Sequence, residues 1–315
     1  MTRLWTLLAF AISLFLTGCG KPVEPPAESN PDGPLNVVCT IGMISDLATH
    51  IGGDHVAVTP MMGPGVDPHL YKPTMGDSKA IRAADVVFYN GLHLEAKMGD
   101  LFKDMSARKT VKAVTDTVPK DKLLPSPDYE GQFDPHLWFD VTLWMHAAET
   151  IRDTLIEKDP KNAETYRSNA EAYLAEMEKL NRYATVQLNR IPKQQRVLIT
   201  AHDAFGYFGK SYGFTVKGLQ GISTVAEAGI KDVQEIVNYI VDNKIRAVFI
   251  ESSVPKRNIE AVQQAAKDKG WDLTIGGELF SDAMGDWGTP EGTYLGMVRH
   301  NVDTITAALL GEPND

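Results

Sequence analysis

Short apolar runs that alternate with helix-like segments make up most of the chain after residue 34. The runs have the length of buried strands, and the segments between them repeat apolar residues every three to four positions, as helices packed on one face do. Alternating strands and helices favour an α/β fold with parallel sheets, and the strands are numerous enough for two sheets. The predicted strands are 35–40, 56–60, 86–89, 111–114, 196–200, 216–219, 247–250 and 273–275, and the predicted helices are 43–51, 78–84, 140–158, 204–212, 231–243 and 256–269.

One segment, 161–190, is longer than the others, contains no Gly or Pro, and is rich in Ala, Glu and Leu. At 1.5 Å per residue a helix of this length would run for about 45 Å, enough to cross a whole domain. A coiled coil is disfavoured because the apolar pattern is weak and covers only about two heptads. We therefore predict one long helix that joins two α/β lobes. Its apolar face is formed by Tyr166, Ala170, Tyr173, Met177 and Leu180.

The first residues have the pattern of an export signal. Arg3 precedes an apolar stretch at 4–16, which is shorter than the roughly 20 residues of a membrane span. The stretch ends in Leu-Thr-Gly-Cys, which resembles a lipoprotein signal with cleavage before Cys19 and a lipid on its sulfur. A buried helix that happens to end in Cys is the alternative. We therefore predict that the chain is divided into five segments. They are a signal peptide at 1–18, a Pro-rich tether at 19–34, an N-terminal lobe at 35–160, the linking helix at 161–191 and a C-terminal lobe at 192–315.

Composition excludes several classes of protein. The 315 residues include 31 Lys and Arg against 41 Asp and Glu, a formal charge of −10. Such an acidic chain is a poor match for nucleic acid, whose binding rests on neutralisation of phosphates. Two cysteines are too few for a disulfide-stapled scaffold or a cysteine-rich zinc module, and a lipid on Cys19 would leave Cys39 as the single thiol.

The tripeptide Asp-Pro-His occurs twice, at residues 67–69 and 134–136. Proline fixes its own φ angle and pushes the preceding Asp into an extended conformation, so each His is presented from a stiff loop. Imidazole is the commonest metal ligand among side chains. A single such His would be interpreted as a packed or solvated side chain, but the duplication makes His69 and His136 candidate metal ligands.

Two further candidates follow predicted strands in the second half of the chain. His202 lies just past the strand at 196–200, and open α/β sheets bind their ligands at the carboxyl ends of strands. Asp282 lies beyond the last predicted strand and leads into a Gly-rich loop. Glu251 and Glu278 lie at comparable strand ends, and spacing alone does not choose among these three carboxylates.

The chain resembles the TroA-like metal-binding receptors of bacterial ABC transporters, from about residue 36 to residue 311. The resemblance implies two α/β lobes joined by a rigid backbone helix, small lobe motions on binding, and one metal ion in the cleft between the lobes. Carried over by position, the ligands are His69 and His136 from the first lobe and His202 and Asp282 from the second. The matching stretches are VVCTIGMISDLA, GVDPHLYKPT, YNGLHLEAKMGD, FDPHLWFDV, LITAHDAFGYFGKSYGF, FIESSVPKR and GGELFSDAMG.

The resemblance implies Mn²⁺ or Zn²⁺ as the transported ion, with no organic cofactor. Relatives often have Glu where this chain has Lys72, and manganese receptors often have Glu where it has His202. Three imidazoles and one carboxylate suit Zn²⁺, whereas a bidentate carboxylate would allow the higher coordination that Mn²⁺ tolerates. Ligating His residues usually donate their other ring N–H to a carboxylate or carbonyl, and Glu251 and Asp203 are the predicted partners.

The predicted function is that of a monomeric receptor, anchored by lipid outside the cytoplasmic membrane, that delivers metal to a permease driven by a cytoplasmic ATPase. A secreted zinc metallohydrolase is one alternative, although HExxH and CxxC patterns are absent from the sequence. A surface adhesin with an incidental metal is another. The remaining histidines are interpreted as surface or packing residues: His50, His55, His93, His146 and His300.

Overall fold

The computed structural model describes residues 33–313. The predicted signal peptide at 1–18, the lipidation site Cys19 and most of the tether lie outside the described residues. Within residues 33–313 no helix combines the length and the apolar character needed to cross a membrane.

The first half of the chain forms one parallel four-stranded sheet, with strand order β2-β1-β3-β4. The strands pair in register, so that their carboxyl ends share one edge. Helices cover the sheet, as parallel strands require, because each connection must cross back over the sheet. The elements are β1 Leu35–Cys39, α1 Gly42–Gly52, β2 Val56–Pro60, α2 Met75–Ala83, β3 Val86–Tyr89, α3 Gly99–Ser106, β4 Thr110–Ala113 and α4 Val141–Lys158.

The second half of the chain begins with the long helix and also contains only parallel strand pairs. Strand β5 pairs with β6, and β7 pairs with β8, while β5 and β7 lie side by side. The elements are α5 Ala163–Leu188, β5 Val197–His202, α6 Gly206–Tyr212, β6 Thr215–Gln220, α7 Ile230–Asp242, β7 Ala247–Glu251, α8 Arg257–Asp268, β8 Thr274–Leu279 and α9 Tyr294–Leu310. The predicted α/β class with parallel sheets is confirmed.

Helix α5 has 26 residues, which corresponds to about 39 Å. It packs against α1 and α4 of the first half and against α9 at the end of the chain. Two tyrosine hydroxyls fix it in place: Tyr173 donates to Asp46 Oδ2 at 2.5 Å and Tyr183 donates to Asp303 Oδ1 at 2.5 Å. Its buried face repeats every three or four residues: Tyr166, Ala170, Tyr173, Met177, Leu180, Ala184 and Leu188.

One hydrophobic core runs through both halves of the described chain. It includes Val86 of β3, Leu198 of β5, Phe249 of β7 and Val302 of α9, all fully buried. A smaller cluster lies entirely in the second half, around Ile240. Because interiors are packed as densely as crystals, a shared core resists large movements of one half against the other.

The hydrophobic pattern did not predict α3 and α9. Helix α9 was not recognised in the sequence because polar side chains occupy part of its buried face, among them Asn301, Thr304 and Thr306. Their polar groups are satisfied all the same: Thr306 donates to Val302 O at 2.7 Å within the helix, and Asn301 bonds to the backbone of Phe280 outside it. A search for apolar periodicity cannot recognise such a face.

Candidate metal centre

Four buried side chains from both halves of the chain converge on one point: His69, His136, His202 and Asp282. Their candidate ligand atoms all lie within 4.8 Å of one another. Asp282 Oδ2 is 3.3 Å from Nε2 of both His69 and His202, and Asp282 Oδ1 is 3.4 Å from His136 Nε2. The Nε2 atoms of His69 and His136 are 3.3 Å apart.

These separations have the size of the edges of a metal coordination tetrahedron. Zn²⁺ holds nitrogen and oxygen ligands at about 2.0–2.1 Å, and a tetrahedron of that radius has edges of about 3.3–3.4 Å. The four contacts of 3.3 and 3.4 Å match this value, within a ligand set whose atoms all lie within 4.8 Å of one another. Three nitrogens and one oxygen are also the donor types that borderline divalent ions prefer.

The polar atoms at the centre of this cluster lack hydrogen-bond partners among the described residues. Both carboxylate oxygens of Asp282 and Nε2 of His202 are buried and make no hydrogen bond. A buried ionised carboxylate is costly unless a positive charge or hydrogen bonds compensate it. A divalent cation at the centre would satisfy all three atoms at once.

His136 is oriented by Asp134, the first residue of its own tripeptide. Asp134 Oδ1 accepts from the His136 backbone N at 2.9 Å and lies 2.7 Å from its Nδ1. The imidazole is fully buried, and Nε2 is the nitrogen that faces Asp282. The carboxylate therefore fixes the ring and leaves Nε2 for an ion. An Asp two residues before a candidate ligand was a usable signal in the sequence, because Asp side chains bond backbone N–H groups two residues on.

His202 is the last residue of β5 rather than a residue beyond the strand, and Glu251 ends the neighbouring strand β7. Glu251 Oε1 accepts from the His202 backbone N at 2.8 Å, and Oε2 lies 2.5 Å from His202 Nδ1. Glu278, the other glutamate considered from spacing, is exposed. Glu251 thus contacts His202, whereas Asp282 contacts all three imidazoles.

Asp282 follows β8 in a loop that two buried side chains hold in place. Asn301 of α9 accepts from Phe280 N at 2.9 Å and donates to Phe280 O at 2.7 Å. Trp138, two residues after His136, donates its Nε1–H to Ser281 O at 3.0 Å. Sequence reasoning missed both Asn301 and Trp138, because their partners lie 21 and 143 residues away in the chain.

Buried charges move the pKa values of the cluster strongly. Burial lowers the pKa of His136, but the carboxylates of Asp282 and Asp134 outweigh burial and raise it to about 9. Burial likewise opposes the charged form of His202, but Glu251 and Asp282 raise its pKa well above the usual range. Burial would raise the pKa of Asp282, whereas His202 and His136 hold it well below its ordinary value. Without metal, protons on the imidazoles compensate the carboxylate charge.

Asp203, the other carboxylate predicted to support an imidazole, makes no hydrogen bond to the three histidines of the cluster. Burial, with the nearby charge of Asp134, raises its pKa to about 6. Asp134 instead contacts His136, so the two supporting carboxylates in the structure are Asp134 and Glu251. Lys72 is exposed outside the cluster. Within residues 33–313 no other group of three or more His, Cys, Asp or Glu side chains has ligand spacing.

Comparisons with known proteins show the family to which this chain belongs. The family model described as zinc-uptake complex component A, periplasmic, matches residues 37–308. The manganese-binding lipoprotein MntA of Bacillus subtilis is 50% identical over 295 residues, which cover 93% of this chain and 95% of the relative. The zinc-binding protein TroA of Treponema pallidum is 48% identical over 278 residues, which cover 88% of this chain and 90% of the relative.

The solved structure of the periplasmic zinc-binding protein TroA from Treponema pallidum superposes with a TM-score of 0.86. The alignment covers 88% of this chain and 99% of that structure, at 48% identity. The predicted arrangement of two lobes with a long helix between them is therefore confirmed at the level of the fold.

Proposed function

We propose that this chain, which belongs to the zinc-uptake complex component A family, is an extracytoplasmic receptor that binds one Mn²⁺ or Zn²⁺ ion for import. Family membership makes it a component of metal uptake and not an enzyme. The observation that carries the proposal is the buried Asp282 carboxylate, which faces three imidazole nitrogens and has no other partner among residues 33–313. Such a centre has the donor atoms that a divalent cation binds, and the cation can replace the protons that otherwise compensate the carboxylate.

The proposed ligands are Nε2 of His69, His136 and His202 and the carboxylate of Asp282. Contacts of 3.3–3.4 Å between these ligand atoms have the size expected around one bound ion, and divalent affinity for nitrogen donors rises from Mn²⁺ towards Zn²⁺. We therefore expect the isolated protein to bind Zn²⁺ more tightly than Mn²⁺. The two relatives compared above are named for these two ions.

A closed site suits capture and release rather than hydrolysis. A catalytic zinc keeps one coordination position open for water, whereas four protein ligands would occupy every position of a tetrahedral ion. The cluster is also buried, with His136 and His202 at 0% exposure. We infer that the ion leaves only when the two halves separate slightly, on contact with a membrane permease powered by a cytoplasmic ATPase.

The lobe boundaries and the anchor belong to the same proposal. We assign the first lobe to 35–160, the linking helix to 161–191 and the second lobe to 192–315. Support comes from α5, which packs against helices of both lobes. We also propose that a lipid on Cys19 tethers a monomeric receptor, with residues 19–34 as the spacer, because the sequence there resembles a lipoprotein signal.

Native mass spectrometry of the full-length protein in detergent tests the site. The stripped protein is offered equimolar Mn²⁺ and Zn²⁺, beside the variants His202→Ala and His300→Ala. We expect the parent and His300→Ala to retain one ion and His202→Ala to lose it. His300 is the matched control because its Nε2 bonds to Glu278 O at 3.0 Å, outside the cluster.

Either of two results would refute the proposal. The first is a parent protein that binds no stoichiometric metal. The second is a His202→Ala variant that binds as the parent does, which would place the metal elsewhere. The ion that the parent retains shows which of Zn²⁺ and Mn²⁺ it binds more tightly in vitro.

A further inference from the structure

We propose that Asp67 is a positioning residue that holds the second lobe over the metal centre through a hydrogen bond with Thr224. This hydrogen bond, called the latch below, slows release of the ion. The inference rests on the proposed function, because it concerns how the same site retains its metal. It assigns separate functions to the two Asp-Pro-His tripeptides.

Each carboxylate oxygen of Asp67 has a different partner. Oδ1 accepts from the backbone N of His69 at 2.8 Å, while Oδ2 accepts from the Thr224 hydroxyl at 2.6 Å. Thr224 lies 157 residues further along the chain and is 6% exposed. One side chain therefore connects the loop that carries a proposed ligand to the opposite lobe.

A second carboxylate of the first lobe contacts the same segment. Asp128 Oδ2 accepts from the backbone N of Ile222 at 2.7 Å. Gly221 packs directly on that carboxylate, since a Cβ at this position would lie 2.3 Å from Asp128 Oδ2. The segment 221–224, which follows β6, is thus held to the first lobe at two points.

The segment after β6 lines a cavity beside His69. A cavity of about 200 Å³ is lined by His69 together with Ile222, Ser223 and Val225. We take this cavity as the route by which the ion leaves past His69, and the segment forms one wall of it. Opening the segment breaks the hydrogen bond between Asp67 and Thr224.

In the second tripeptide the Asp carboxylate makes no hydrogen bond to the other lobe, where Tyr207 donates to the backbone O of Asp134 instead. Asp134 Oδ1 serves both the backbone N and Nδ1 of His136, so this carboxylate orients a ring within its own lobe. Asp67 Oδ1 likewise accepts a hydrogen bond from the backbone N of His69. Its Oδ2, however, accepts from the hydroxyl of Thr224 in the other lobe. The two Asp residues occupy the same position in the tripeptide, but their carboxylates bond to different partners in the folded chain.

The rate of Zn²⁺ loss to excess chelator, measured by stopped flow on the full-length protein in detergent, tests the latch. Thr224→Val removes the hydroxyl and keeps the shape, and we expect release to become about tenfold faster, as for loss of a hydrogen bond to a charged group. Thr224→Ser keeps a hydroxyl and should release at the parent's rate. Thr185→Val is the matched control, because that exposed hydroxyl bonds to Asn181 O within α5.

The visible absorption of bound Co²⁺ separates a latch from a ligand-shaping contact. We expect the spectrum of Thr224→Val to equal that of the parent, because the four proposed ligands are untouched. Release from Thr224→Val at the parent's rate, or an altered Co²⁺ spectrum, would overturn the inference while the receptor function stands. A parent that binds no metal would overturn both.

Discussion

Glu251 contacts His202 twice, through the backbone N at 2.8 Å and through Nδ1 at 2.5 Å, from the end of the adjacent strand. Both side chains are completely buried. The carboxylate fixes the orientation of the ring, so that Nε2 faces Asp282. Carboxylates that accept from a ligating imidazole also increase the basicity of the nitrogen that binds the metal.

Replacement of this carboxylate should weaken metal binding without removing a ligand. We expect Glu251→Gln to lower Zn²⁺ affinity by about 10–100-fold, the usual effect of losing such a supporting group. Competition with a chelating dye measures the change. Glu278→Gln is the control, since Glu278 is exposed at the neighbouring strand and should leave affinity unchanged. Equal affinities for the parent and Glu251→Gln would show that the contact does not support binding.

The charged cluster predicts how stability depends on pH. His136 has a pKa of about 9 in the folded, metal-free protein, against about 6.5 when unfolded. Its protonated form therefore contributes stability, about 3 kcal/mol, that is fully present below pH 6.5 and is lost as the pH rises towards 9. The raised pKa of His202 acts in the same direction.

Metal binding must displace these protons, so Zn²⁺ should stabilise the protein more at high pH. We expect the Zn²⁺-induced increase in Tm to grow between pH 6.5 and pH 9, while the Tm in chelator falls over the same range. Differential scanning calorimetry at constant ionic strength measures both. A Zn²⁺-induced increase that is constant over this range would contradict proton displacement.

Asn301 should matter to stability and to binding together. Its side chain satisfies both backbone groups of Phe280, two residues before Asp282. We expect Asn301→Ala to lower the free energy of unfolding by about 1–3 kcal/mol, since buried backbone groups lose their partners. Zn²⁺ affinity should also fall, because the Asp282 loop loses a support. Urea unfolding and dye competition test the two effects, and a stability loss with unchanged affinity would limit Asn301 to the fold.

Lobe movement on metal binding should be small. Helix α5 packs on both lobes, and one core includes Leu198 and Val302 as well as Val86. A compact chain of this size has a radius of gyration of about 19 Å. We expect small-angle scattering to show a metal-dependent change within a few per cent of that value. A larger decrease would indicate the wide hinge closure of other binding proteins.

Local pattern determined much of this molecule from sequence alone. The long helix, with buried residues such as Tyr166 and Met177 in regular repeat, follows from one apolar face without Gly or Pro. The eight predicted strands appear as β1–β8, with ends that differ by a few residues. The repeated Asp-Pro-His tripeptide indicated His69 and His136 as candidate ligands, because a local motif stands out when it occurs twice.

Only the tertiary structure distinguished among carboxylates that look alike in sequence. Asp282 faces the three imidazoles, Glu251 orients one of them and Glu278 is exposed. In the sequence, these three carboxylates lie at comparable positions near the ends of strands. Likewise Asp67 reaches Thr224 in the other lobe, whereas Asp134 turns back on its own His136. The physical reason is that periodicity and turn chemistry act over a few residues, while the partner of a buried charge is set by chain segments that meet only after folding.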